Sequence, residues 1–381
     1  MRKLNNLYYR EIIILLVSYN LLINCYFVKA QSNAGGELSA KAYNQIAFLT
    51  THNAFNNAEE SFSYPNQDYS ITRQLVDGVR ALMLDVYEVG AERYEYHSFQ
   101  ALGKKRFVDD LTQIKAFLDN NPNEVVTIIL ECYTSADKID ADIRIAGLYD
   151  YLFIKNNDKN WPLLSEMIAS GKRLVVFSDK NDASSTQGWY HYVWKYAVET
   201  SFEITDKNDF SYTFNRGNAG NPLFILNHFV VTKTLGVGNR SAAKEANEYN
   251  FLSERIKGSE TKVNKYPNFV VVDFYNLGDG IKAICDFNGI IYNALPKADT
   301  LNLKLYPVPA TDNLNIEISS DFIAPFTLSV YSSTGHKLSE TISWQHKIKI
   351  GLNYFKDNIY FVQCVDIKGA KSAASFVFSK N

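Results

Sequence analysis

"FVDDLTQIKAFLDNNPNEVVTIILECY" runs from Phe107 to Tyr133 and joins two different hydrophobic periods. In its first half Leu111, Ile114, Phe117 and Leu118 recur at helical spacing, and "NNPNE" closes the segment with a proline that cannot continue a helix. In its second half "VVTIILECY" is a continuous β-branched run, the pattern of a strand buried on both faces. A helix leading straight into such a strand is half of a βαβ unit. Parallel neighbours need that kind of crossover.

The same rhythm extends in both directions. Short apolar runs recur as "IAFLTT" (46–51), "ALMLDVYE" (81–88), "RLVVFSDK" (173–180), "PLFILNHF" (222–229) and "FVVVDFY" (269–275), with longer mixed segments between them. About 260 residues of such units suit one distorted (β/α) barrel, with room for a missing helix. A doubly wound open sheet is the competing architecture, but no Gly-rich phosphate loop follows the first run. Barrel chemistry sits at the C-terminal ends of the strands. Here those ends carry His52, Asp85, Glu131, Lys180, Asn227 and Asp273. Each alone reads as a turn residue; six together, all able to donate, accept or titrate, point to one polar mouth.

Composition bounds the function. The chain has 381 residues, 46% of them hydrophobic, and a formal net charge of −2. That is enough apolar material for a large core and a second domain, and it offers no basic face for nucleic acid. At the N-terminus Arg2, Lys3 and Arg10 flank "IIILLVSYNLLI" (12–23), and "VKA" ends at Ala30, which reads as an export signal over 1–30. No later segment suggests a membrane span. A lipid anchor on Cys25 is the alternative, although "LINC" places Asn24 where a small residue is usual. After the signal, Cys132, Cys285 and Cys364 remain; their spacing makes neither a disulfide framework nor a zinc site, and one disulfide stays open.

The blocks "THNAF" (51–55), "NQDYSITRQLVDGVRALMLDVYE" (66–88), "YEYHSF" (94–99), "FVDDLTQIKAFLDNNPNEVVTIILECY", "RLVVFSDK" and "PNFVVVDFYNLGDG" (267–280) resemble the X-domain of phosphatidylinositol-specific phospholipase C, and more closely the secreted phospholipase C-like phosphodiesterases. The resemblance covers about residues 40–291. It implies a distorted barrel that cleaves a phosphodiester, with His52 as general base and His97 as general acid. Histidine suits both jobs because its unperturbed pKa permits both forms near pH 7. Asp273 completes that set by orienting His52 or by binding inositol. Lys180 and Asn227 are the expected substrate contacts, Lys180 as a point charge for phosphate.

Relatives neutralise the phosphate with an arginine or with calcium. Tyr87 stands in the arginine's place, whereas Asn53, Asp85 and Glu131 match the calcium-using relatives, with Met83 where a further carboxylate is common. Glu88 falls on the opposite face of its strand from Asp85. Of the other histidines, His191 reads as aromatic packing, His228 points away from the mouth, and His336 and His346 are solvated. Arg80 belongs at the far end of the barrel.

After Tyr292 the texture changes. "LPKADTLN" (295–302) is a polar linker, and alternating strands follow. "YPVPATDNL", "VYSSTGHKL" and "NIYFVQ…KGAKS" resemble the C-terminal sorting domain read by the type IX secretion system, although Asn358 stands where glycine is usual. A carbohydrate-binding module shares the same small β-sandwich shape. The expected organisation is signal 1–30, phosphodiesterase barrel 31–295, linker 296–302 and sorting sandwich 303–381. The resemblance implies an exported phosphodiesterase, secreted or held at the cell surface after passage through the periplasm, acting on a phosphodiester lipid or its headgroup. A glycerophosphodiester phosphodiesterase and a catalytically silent inositol- or glycan-binding surface protein are the rival readings.

Overall fold

Side-chain parity along each strand divides the barrel into two cores. In a computed structural model the described residues are 36–156, 160–233, 237–290, 303–319, 326–333, 336–356, 358–366 and 371–379. The expected signal (1–30), Cys25 and the linker (296–302) lie outside them. The chain divides into two compact units, Met1–Asn293 and Ala294–Asn381.

In the first unit the strands are β1 (Phe48–Thr51), β2 (Ala81–Val89), β3 (Glu92–Glu95), β4 (Lys105–Arg106), β5 (Val126–Tyr133), β6 (Leu174–Ser178), β7 (Tyr190–Tyr192), β8 (Ala197–Thr200), β9 (Phe214–Gly217), β10 (Leu223–Asn227) and β11 (Phe269–Val272). Among the described residues, β7-β6-β5-β2-β1-β11-β10-β8 form one continuous parallel array, and β9 joins β8 antiparallel. Strand order follows chain order around the array, as in a (β/α) barrel, and the hydrogen-bonded path ends at β7 on one side and β9 on the other. The barrel is therefore distorted and open between β7 and β8. A single helical turn, Val193–Tyr196, joins those two strands, and a 3-10 turn (Lys207–Asp209) and β9 rather than an α-helix connect β8 to β10.

Leu49, Leu82, Leu84, Ile128, Leu130, Phe224, Leu226, Val270 and Val272 face the helices. Phe48, Ala81, Ile129, Val175, Phe177, Ala197, Leu223, Ile225, Phe269 and Val271 fill the interior. Each strand alternates between the two sets, so a residue two past an interior one reaches the mouth. The helix Phe107–Asn120 packs as its period predicts, with Leu111, Ile114 and Leu118 fully buried and Asp109 and Asp110 in its electropositive first turn. It stops at Asn120, two residues before Pro122.

Arg80 sits at the opposite end, as expected. Its Nε donates to Glu124 Oε2 at 2.9 Å, its Nη1 donates to Leu75 O and Val79 O, and both side chains of the ion pair are almost fully buried. The two short strands β7 and β8 escape the sequence pattern, because "WYHYVWKYAVET" interrupts its apolar residues with a helical turn. Cys132, Cys285 and Cys364 are buried and form no disulfide with one another, so the disulfide left open does not form among them.

The second unit is a β-sandwich. One sheet is Leu303–Tyr306, Asn313–Ile318 and Lys347–Gly351; the other is Lys337–Ser343, Phe326–Ser332, Asn358–Val365 and Lys371–Phe378. Leu314, Ile316, Phe326, Leu328, Val362, Cys364, Phe376 and Phe378 close its core. Among the described residues no helix is long and apolar enough to cross a membrane.

Candidate active site

The first strand ends in a tight turn. His52 N–H still donates to Val272 O at 3.1 Å, extending the β1–β11 ladder by one residue. Asn53 then adopts φ 44°, the left-handed region that asparagine tolerates better than most residues. The His52 ring lies flat on Phe229, with centroids 3.9 Å apart and planes 13° apart. Its Nδ1 is 2.9 Å from Asp273 Oδ1, and the Asp273 side chain is fully buried. An ionised carboxylate only accepts, so the imidazole proton sits on Nδ1 and Nε2 keeps its lone pair. Gln67 holds the corner from behind, donating to His52 O and Val272 O and accepting from Tyr275 N–H.

His97 reaches the site from the β2–β3 hairpin, in which Val86 pairs with Glu95. Ser98 beside it takes φ 60°. Burial first, and then the charge of His52, lowers the His97 pKa below the ordinary histidine value, while Asp273 and Glu131 oppose the shift. The two histidines thus share one electrostatic neighbourhood. His97 lines a small cleft with Asn56, Tyr64 and Leu102, whereas His52 lines the main one.

The main cleft collects the residues that strand parity sends to the mouth, Asp85, Glu131, Asp179, Glu199 and Asn227, together with Asn53 from the turn after β1 and Arg216, Trp194 and Phe202 from the open side of the barrel. Asp85 and Glu131 face each other in register across β2 and β5. Burial, then Glu131, then Asp179 raise the Asp85 pKa well above the usual carboxylate range. Tyr133 Oη donates to Glu131 Oε1. Tyr87 fills the place an arginine would take and stacks between Tyr96 (4.0 Å) and Tyr133 (4.2 Å), a wall of three phenol rings.

Lys180 departs from expectation. Strand β6 sends Asp179 into the cleft, so Lys180 turns outward, donating to Thr134 O and pairing with Asp182 at 3.3 Å. Among the described residues the cleft's cationic side chain is Arg216. Its guanidinium lies 4.5 Å from the Trp194 ring and 4.7 Å from the Phe202 ring, and its Nε donates to Glu199, which is itself 1% exposed. Asn227 joins this group by donating to Glu199 Oε2 at 3.2 Å and Thr200 O at 2.7 Å.

Asp179 was legible from parity, two residues past the interior Phe177. Glu199 and Arg216 were not, because their short strands carry no pattern. His228 is buried behind the cleft, its Nε2 donating to Ala246 O, and burial lowers its pKa to about 3. His191 is a packing residue between Val176 O and Lys155 N–H, lowered by burial to about 4. Glu88 faces away from Asp85, as the pleat requires, and pairs with Lys138.

The donor chemistry can be tested against a hard cation. With its oxygen toward Asp85, Asn53 brings three acceptor atoms together, the carboxylate oxygens lying 3.2 Å from the amide end. Oxygens at that spacing can share one calcium ion at 2.3–2.6 Å. Glu131 and Asp179 add negative charge nearby. Among the described residues no three His, Cys, Asp or Glu side chains converge tightly enough to hold a metal unaided. These donors would suit a weakly held calcium ion, with its remaining ligands left to water and substrate.

Residues 38–288 match the family described as PI-PLC X 1, and residues 304–377 match the secretion system C-terminal sorting domain. A PI-PLC X domain-containing protein of Arabidopsis thaliana is 31% identical over 269 residues, which cover 62% of this chain and 60% of that protein. The PI-PLC X domain-containing protein 1 of Arthroderma benhamiae is 27% identical over 281 residues, covering 68% of this chain and 89% of that one. Among solved structures, a mutant of the phosphatidylinositol-specific phospholipase C from Staphylococcus aureus aligns with 14% identity and a TM-score of 0.47, over 69% of this chain and 99% of that one. With its sorting domain, the protein is directed outside the cell or onto its surface.

Proposed function

The chain belongs to the PI-PLC X family, and from that premise we propose that it is a phospholipase C-like phosphodiesterase acting on an inositol-type phosphodiester outside the cell. The observation that carries the proposal is His52 on buried Asp273 at 2.9 Å, with the partly exposed imidazole lining the cleft.

In the first step His52 Nε2 takes the proton of the inositol 2-hydroxyl as that oxygen attacks phosphorus. Asp273 holds the ring and stabilises the imidazolium that forms. The bond from phosphorus to the glycerol oxygen breaks, and His97 donates a proton to the departing alkoxide. The products are a cyclic inositol phosphate and diacylglycerol. Water can open the cycle with the two histidines exchanging roles. Calcium held by Asn53 and Asp85, with Glu131 beside them, would supply positive charge to the phosphate oxygens. Arg216, Glu199 and Asn227 are the groups we assign to the ring hydroxyls, a paired donor and acceptor set against the apolar faces of Trp194 and Phe202. This replaces Lys180 as the substrate cation. The sorting domain supports recognition by the type IX secretion machinery.

The test is a panel of phosphodiesters followed by phosphorus NMR. Cyclic inositol phosphate as first product supports the proposal. Glycerol phosphate would indicate a glycerophosphodiester phosphodiesterase, and binding without turnover would indicate a surface recognition protein. Chelation should abolish turnover, and calcium should restore it; full activity after exhaustive metal removal would overturn the calcium assignment.

A further inference from the structure

Three buried asparagines join the cation site to the general base, and their hydrogen-bond polarity turns the Asn53 oxygen toward the Asp85 carboxyl group. Asn66 is fully buried. Its Nδ2 donates to Asp273 Oδ1 at 3.1 Å and stands 3.4 Å from His52 Nδ1. Its Oδ1 accepts from Asn56 Nδ2 at 2.7 Å and from Asn53 Nδ2 at 3.3 Å. Asn56 is held in this sense because its Nδ2 also faces Tyr64 O, which can only accept.

The orientation of each amide follows from its neighbour. Asp273 accepts and cannot donate, so Asn66 must present nitrogen to it and oxygen to Asn53. Asn53 then presents nitrogen to Asn66 and oxygen to Asp85. Turning Asn53 over gives Asp85 two donated bonds at 3.2 Å, but it leaves the Asn53 oxygen 3.3 Å from Asn66 Oδ1, acceptor against acceptor. Turning Asn66 as well would place its oxygen against Asp273. The conflict therefore ends at Asp85 whenever the His52–Asp273 pair is intact. There it becomes three oxygens facing one point, an arrangement that a cation satisfies, as does a proton on the buried Asp85 carboxyl until a cation displaces it.

We infer that Asn66 is a positioning residue that locks the Asn53 amide with its oxygen toward the cation and ties that site to the His52–Asp273 pair. The inference rests on the proposed role of Asn53 and Asp85 as calcium ligands. Through Asn66, the alignment that readies the base also prepares the cation site. Backbone packing leaves little slack here: a Cβ built on Gly238 would sit 3.0 Å from Asn66 Nδ2 and 3.1 Å from Asp273 Oδ2.

Two substitutions separate the two ends of the relay. Asn66→Ala frees Asn53 to turn its nitrogen to Asp85. Asn66→Asp keeps an acceptor for Asn53 Nδ2 but removes the donor to Asp273. Calcium binding is measured by calorimetry on the chelator-treated full-length protein, and turnover is measured in parallel at saturating calcium. The expected result is a calcium affinity at least tenfold weaker in Asn66→Ala, the order of one lost oriented contact. Asn66→Asp should bind calcium within threefold of wild type or tighter, yet lose at least tenfold in kcat.

Wild-type affinity in a folded Asn66→Ala would overturn the relay. So would an Asn66→Asp variant that loses calcium and kcat together, and this arm decides the matter if Asn66→Ala does not fold. Absence of calcium binding by the wild-type protein would overturn the cation assignment itself, a different failure from that of the relay.

Discussion

Replacing Asp273 by asparagine preserves the shape of the side chain and removes its charge. In the native site Asp273 Oδ1 receives His52 Nδ1–H at 2.9 Å and Asn66 Nδ2 at 3.1 Å, while Oδ2 is buried with no hydrogen-bond partner among the described residues. An asparagine amide has two ways to sit there. With oxygen toward His52 it keeps the tautomer, but its nitrogen enters the unpartnered position. With nitrogen toward His52 it forces the imidazole proton onto Nε2, the atom that must take the substrate proton. In both cases the imidazolium formed during the reaction loses its counter-charge. A unit charge about 4 Å away at an effective dielectric near 20 contributes about 4 kcal/mol, and the amide dipole retains part of that.

The expected loss in kcat/KM is therefore about two to three orders of magnitude, at roughly 1.4 kcal/mol per tenfold. The assay is turnover of a soluble inositol phosphodiester, with urea unfolding as the control. Stability should change by no more than about 2 kcal/mol, because a buried charge is removed as one amide end is left unpaired. A folded Asp273→Asn variant within tenfold of wild type would refute the assignment of His52 as a base oriented by Asp273.

The depressed His97 sets the alkaline side of the pH profile. Because the acid must carry its proton, kcat/KM should fall as pH rises and His97 deprotonates, with the midpoint of that limb below the ordinary histidine value; a leaving group of low pKa should abolish the limb. A limb unchanged by the leaving group would remove His97 from the role of acid. At the far end of the barrel, Arg80→Met should cost about 3–5 kcal/mol in urea unfolding by stranding the carboxylate of Glu124; a loss under about 1 kcal/mol would mean that water reaches the pair. Removing Leu303–Asn381 should leave phosphodiesterase activity in place but retain the protein inside the native host's envelope, read by surface labelling; continued surface display would count against sorting by this domain.

Local pattern decided more of the fold than of the site. The six long β-branched runs and the Phe107–Asn120 helix were legible because burial on both faces, or on one helical stripe, writes a period into the chain. His52, Asp85, Asn227 and Asp273 were legible because each stands at the polar end of such a run. Lys180 was misread because the pleat reverses direction at every residue, so the cleft receives Asp179 instead. Tertiary structure alone supplied the rest. Strands β7 and β8 are three and four residues long and are held by neighbours rather than by propensity. Arg216 and Glu199 come together only because the barrel stays open beside them. The asparagine relay joins positions 53, 56, 66 and 273, and its hydrogen-bond polarity is set by one buried carboxylate 207 residues along the chain from Asn66. Polar side chains carry no hydrophobic period, so a sequence can name such residues but cannot orient them; their donors and acceptors acquire direction only when burial removes water as the alternative partner.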